Sequence, residues 1–131
     1  MMIQVNILKQ ELNKTLDYIE SQLSSLDEEI KLKALLIIEE IITNQLRHAK
    51  FSSQEKKIIT LSIEFQKDST ILLTFEDNAE IFNPLNAKNP DVSLALQERK
   101  LGGLGIFIIK KYAKNLSYTY KNSRNILKVE L

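Results

Sequence analysis

Apolar residues recur at helical spacing in two stretches and at every second position in several others. Leu8, Leu12, Leu16, Ile19 and Leu23 fall on one stripe, which predicts a helix over Leu8–Leu23. A second helix is predicted to run to about Ala49, capped by Ser25 or Asp27, with Glu28 and Glu29 favourable in its first turn. Its apolar face reads as Leu35, Ile38, Ile42, Leu46 and Ala49, while Ile37 and Ile41 flank a polar stripe. Ile59, Leu61, Ile63 and Phe65 alternate, so Ile58–Gln66 reads as a strand. The turn Lys67-Asp68-Ser69 and a strand over Thr70–Glu76 complete a hairpin. Gly103–Lys114 reads as a helix, followed by strands Leu116–Tyr120 and Ile126–Leu131 around the turn Lys121–Arg124. Met2–Leu8 reads as a further short strand. The order predicts an α+β two-layer sandwich, with helices packed on one face of a mainly antiparallel mixed sheet.

Punctuation is concentrated in one place. All three glycines are Gly102, Gly103 and Gly105, and both prolines, Pro84 and Pro90, lie shortly before them. Asp77 to Leu101 therefore reads as a long loop, and loops of that length inside a small domain usually carry function.

Composition narrows the class. The 131 residues fit a single domain spanning 1–131, and 44% hydrophobic residues suffice for a packed core. A net charge of +1 lacks the basic surplus of a direct nucleic-acid binder. With no cysteine, disulfides, thiol catalysis and cysteine-ligated metals are excluded, and the single histidine argues against a multi-histidine metal site. No apolar run approaches the roughly 20 residues that span a bilayer. The N-terminus lacks a secretory pattern, so a cytoplasmic setting without membrane contact is expected.

Three segments carry candidate chemistry. Glu40, Asn44 and His48 are spaced i, i+4, i+8, and so share one stripe of the second helix. Glu40 could act as a general base and Asn44 could offer a carbonyl oxygen to Mg²⁺, although a solvated polar stripe has the same spacing. Asp77 leaves a strand end with Asn78, Ala79, Glu80, Ile81 and Phe82 behind it. A carboxylate there can accept a hydrogen bond from an exocyclic amino group such as adenine's, but Asp-Asn is also ordinary turn chemistry. Gly102-Gly103-Leu104-Gly105 opens the helix that begins with Ile106 and Phe107. Glycines let backbone amides approach a phosphate at a helix N-terminus, and the same residues also suit a hinge. Arg99 and Lys100 lie just upstream, within reach of a phosphate or solvated.

In order, these segments resemble the motifs of the GHKL ATPase superfamily. Glu40-Ile41-Ile42-Thr43-Asn44, continuing to His48-Ala49, resembles the N box; Asp77–Phe82 with Asn83-Pro84-Leu85 resembles the G1 box; Gly102–Phe107 resembles the G2 box. Glu98-Arg99 and the closing Asn125-Ile126-Leu127 are similar to the compact anti-sigma-factor serine/threonine kinase branch. The resemblance covers Leu23 to the C-terminus. It implies a Bergerat fold binding ATP and Mg²⁺, with Glu40 as catalytic base, Asn44 as metal ligand and Asp77 as adenine reader. His48, Ala79, Phe82, Arg99 and Gly102, Gly103, Leu104, Gly105 and Ile106 would line the nucleotide, under a lid from about Pro84 to Leu101 that nucleotide orders. His48 would pack or hydrogen-bond at the edge of the site. The implied activity is phosphorylation of a serine on a small STAS-type antagonist. Sequestration of a sigma factor and homodimerisation also occur in the branch. Ala79 and Ile81 depart from the glycines usual in the G1 box, and Ala disfavours positive φ. A non-catalytic, nucleotide-dependent partner-binding module, or a structural domain with a vestigial site, is the alternative.

Overall fold

The computed structural model describes residues 2–7, 11–67, 69–86 and 104–131, the side chains of 104 and 105 aside. Five strands, β1 (Met2–Asn6), β2 (Ile59–Phe65), β3 (Ile71–Asp77), β4 (Asn115–Lys121) and β5 (Arg124–Glu130), form one sheet in the order β1-β2-β3-β5-β4. All four ladders are antiparallel. Three helices, α1 (Leu12–Gln22), α2 (Glu28–Arg47) and α3 (Leu104–Tyr112), pack on one face, giving the α+β sandwich that the element order predicted.

Strand alternation explains that one-sided burial. Ile59, Leu61 and Ile63 of β2 and Ile71, Leu73 and Phe75 of β3 face the helices, while Thr60, Ser62, Thr74 and Glu76 take the other face. Register then lines these residues up across the sheet. Val5, Leu61, Phe75, Leu127 and Tyr118 form one rung, and Ile3, Ile63, Leu73, Val129 and Leu116 the next. Burial of each large side chain here stabilises by about 1.5–3 kcal/mol, which makes the sheet–helix interface the dominant source of stability. The β4–β5 turn places both Asn122 and Ser123 at positive φ, 53° and 60°. Two residues of that kind match the right-handed twist of the flanking strands.

Helix α2 is rotated from the face read in the sequence. Its buried residues are Ala34, Ile37, Ile38, Ile41, Ile42 and Gln45, whereas Leu35, Leu46 and Ala49 are only half-buried. Ile37 and Ile41 thus belong to the core rather than to its margin, since six buried residues at i, i+3, i+4, i+7 spacing fill the sheet-facing stripe. Asp27 precedes the helix but makes no side-chain cap; its carbonyl accepts from Lys31 N at 2.9 Å. At the far side, Lys33 Nζ lies 4.4 Å from the ring centroid of Tyr112, joining α2 to α3 by a cation–π contact.

Candidate functional site

The inner face of the sheet changes on the third rung, where two polar residues join apolar Ile59. Continuing β3's alternation past Phe75 brings Asp77 onto the helix-facing side, where it pairs with Ile59 on one flank and Asn125 on the other. Both polar residues are buried, Asp77 at 7% exposure and Asn125 at 6%. Burying such groups is tolerable only where hydrogen bonds replace water. Asp77 Oδ1 accepts from Asn125 Nδ2 at 2.9 Å and from Ala79 N at 3.0 Å. Its Oδ2 accepts from Gln45 Nε2 at 2.9 Å, a bond that ties α2 to the end of β3.

Asn125 spends its whole carboxamide. Its Nδ2 also donates to Glu80 O at 3.0 Å and, at a longer 3.3 Å, to Ala79 O. Its Oδ1 accepts from Phe82 N at 3.0 Å and from the Tyr118 hydroxyl. Burial pushes the Tyr118 phenol above its ordinary 10.0; the nearby Asp77 charge and Tyr120 act in the same direction, and the Phe82 amide opposes them.

The segment after Asp77 is pinned almost residue by residue. Asn78 accepts from Ile58 N at 2.8 Å and donates to Lys56 O at 2.7 Å, so its side chain is turn chemistry. Glu80 N donates to Lys50 O at 2.8 Å, and Asn83 Oδ1 accepts from Leu85 N at 2.9 Å at the start of a 3₁₀ turn, Pro84–Asn86. Ala79 is 3% exposed and adopts no positive φ, nor does Ile81. Loss of the usual glycines therefore imposes no backbone strain at these two positions. Phe82 donates its amide to Asn125 while its ring stays 66% exposed.

Helix α2 carries the remaining described candidates along the margin of its buried stripe. Glu40 and Asn44 are half-buried, and His48 is exposed at the helix end. The His48 amide donates to Asn44 O at 2.8 Å, and its side chain, expected to pack or hydrogen-bond at the site edge, is exposed. Leu104 and Gly105 open α3, and Ile106 is buried in the core at 6% exposure. Arg99, Gly102, Gly103 and the lid region from 87 to 101 lie outside the described residues.

Gln45 is the site residue that sequence reasoning missed. It is 8% exposed, and because a carboxylate carries no proton, Nε2 must be the atom facing Asp77. That leaves Oε1 buried and without a partner among the described residues. An unsatisfied buried carbonyl costs about 1–3 kcal/mol. The described site thus presents two acceptors with capacity to spare, Asp77 Oδ2 and Gln45 Oε1, while Ala79 N and one N–H each of Gln45 and Asn125 are engaged by the carboxylate. A planar group bearing N–H donors fits that set. A separate cavity of about 480 Å³, lined by Glu11, Lys14, Thr43, Leu46 and Arg47, includes none of these residues.

A family model described as the histidine kinase-like ATPase domain matches residues 8–131. Two solved structures are similar in fold. A blue-light activated histidine kinase of Erythrobacter litoralis superimposes with a TM-score of 0.54 and 19% identity, covering 81% of this chain and 31% of that one. The histidine kinase domain of the same protein gives a TM-score of 0.52 and 18% identity, covering 92% of this chain and 60% of that one. This chain therefore spans less than two thirds of either. No curated protein sequence matches it significantly.

Proposed function

We propose that this chain, which belongs to the histidine kinase-like ATPase domain family, binds ATP with Mg²⁺ and transfers phosphate to a serine of a small STAS-type antagonist protein. The single observation carrying the reading is the Gln45–Asp77–Asn125 network. It fixes the Asp77 carboxylate on the inner face of the sheet, bound to Gln45, the residue after Asn44 on α2.

In this reading Asp77 accepts from the exocyclic amino group of adenine. Asn44 offers its carbonyl oxygen to Mg²⁺, a hard cation that keeps most of its shell as water and phosphate oxygens. No group of three or more His, Cys, Asp or Glu side chains gathers as a cation site among the described residues. Mg²⁺ would neutralise charge on the transferring phosphoryl group. Glu40, one turn before Asn44, would take the proton of the attacking serine hydroxyl. Leu104 and Gly105 begin a nine-residue helix whose N-terminus favours a phosphate. A sigma factor as a further partner and a homodimer are extensions of the same reading.

The test is to identify by mass spectrometry a protein that co-purifies with the chain, and then to assay transfer to it from ATP and Mg²⁺. Formation of phosphoserine that depends on Glu40 supports the kinase. ATP binding with no transfer to a stably bound partner supports a nucleotide-dependent binding module instead.

A further inference from the structure

We infer that Gln45 is a specificity-determining residue: its Oε1 and Asp77 Oδ2 form a two-acceptor clamp on the exocyclic amino group of a 6-aminopurine. The inference rests on the nucleotide-binding reading above and deepens it. Three observations carry it. Gln45 is a carboxamide on the core-facing stripe of α2, in line with Ile38, Ile41 and Ile42, where an apolar residue would pack at no polar cost. The orientation of its amide is fixed, because Asp77 Oδ2 accepts from Nε2 at 2.9 Å and has no proton to give. Oε1 is then a fully enclosed acceptor with no donor among the described residues. Native chains seldom leave such an atom orphaned, so its partner comes from beyond the described residues, and a bound ligand fits that place.

The chemistry of that partner follows from what surrounds it. Nε2 and Oε1 share one carbon, so Oε1 lies within one amide group of the carboxylate oxygen that Nε2 touches. The two N–H bonds of a purine 6-amino group diverge and can serve two adjacent acceptors at once. A 6-oxo purine would instead bring a third acceptor against two. Asn125 and Ala79 supply their donors to Oδ1 and so leave Oδ2 for this role.

Calorimetry with Mg²⁺ on wild type and Gln45→Met, using ATP and purine riboside triphosphate, separates this clamp from recognition by Asp77 alone. Each hydrogen bond to the amino group is worth about tenfold in affinity. In wild type, loss of the amino group should weaken binding about 100-fold; in Gln45→Met it should weaken binding only about tenfold, because Asp77 still reads it. As a second readout that needs no variant, ATP should move the ¹H–¹⁵N resonances of the Gln45 side-chain amide, and purine riboside triphosphate should not. Should Gln45→Met fail to fold, that spectrum decides. Equal discrimination by the two proteins, or an amide that responds alike to both ligands, overturns the clamp while ATP binding stands; Oε1 then holds only a structural water. No binding of ATP to wild type overturns the nucleotide reading itself.

Discussion

Asp77 and Asn44 sit on elements joined by the hydrogen bond from Gln45, yet they are held in opposite ways. Around Asp77, polar atoms are buried and, Gln45 Oε1 apart, matched to one another: the carboxylate has three donors, Asn125 serves five partners, and the following loop is tied to Lys50, Lys56 and Ile58. Around Asn44, the side chains lie at the margin of α2, half-buried at Glu40 and Asn44 and exposed at His48. Under the proposed function, the difference teaches how the labour is divided. Base recognition needs a fixed pattern of acceptors, which only a preorganised network gives, and such a network becomes part of the folded core. Phosphate and metal chemistry needs groups that a ligand can reach, and these contribute little to folding.

The largest effect should come from breaking the network. Asn125→Ala deprives Asp77 Oδ1, Phe82 N–H and the Tyr118 hydroxyl of a partner in a buried setting, and should cost about 2–4 kcal/mol in urea unfolding. Asn44→Ala, on a half-buried margin, should cost under about 1 kcal/mol while weakening Mg²⁺-dependent ATP binding and turnover together. Equal destabilisation by the two would erase the contrast.

Next in size is Asp77→Asn. An amide there sets its NH2 against Gln45 Nε2 on one side or against Ala79 N and Asn125 Nδ2 on the other, donors in either orientation. Stability and ATP affinity should fall together, affinity by about 1.5–3 kcal/mol in calorimetry below the unfolding transition. Glu40→Ala should do the reverse. It should slow phosphate transfer by roughly 10²–10⁴-fold while leaving ATP affinity and the urea midpoint close to wild type.

The Bergerat-like sandwich was legible because burial follows simple periods: Ile59, Leu61 and Ile63 alternate, and Leu12, Leu16, Ile19 and Leu23 repeat as a helix. The network was half legible. Asp77 stood out as a strand-end carboxylate. The reading ended β3 at Glu76 and began β5 at Ile126, so the direct pairing of Asp77 with Asn125 fell one residue beyond each boundary. Gln45 was hidden by phase. With the apolar face taken through Leu35, Ile38, Ile42 and Leu46, it looked peripheral; taken through Ala34, Ile37, Ile38, Ile41 and Ile42, it is a polar residue on a core stripe. That interruption is the signal that could have found it. Side-chain pairing such as Gln45 with Asp77, 32 residues apart, has no local signature.

The smallest effect concerns pH. The Tyr118 phenol is held above its ordinary 10.0 in the folded chain by burial. The neutral form therefore favours the fold: its contribution is complete below about pH 10 and is lost as pH rises through the higher folded value. Unfolding free energy should decline above pH 10, and Tyr118→Phe should flatten that decline while lowering stability at neutral pH by about 1 kcal/mol through loss of the bond to Asn125. An unchanged alkaline slope in the variant would place the titration elsewhere.

The account stands or falls on whether the acceptor pair beside Asn44 receives a nucleotide. Thermal unfolding of the wild-type chain with ATP and Mg²⁺, against the chain alone, asks this directly. Binding confined to the native state should raise stability by about 2.7 kcal/mol at a hundredfold excess over Kd, and the gain should shrink in Asp77→Asn. An unfolding curve that ATP and Mg²⁺ leave in place at millimolar concentration would contradict the account, and the Gln45–Asp77–Asn125 network would then be a device of folding alone.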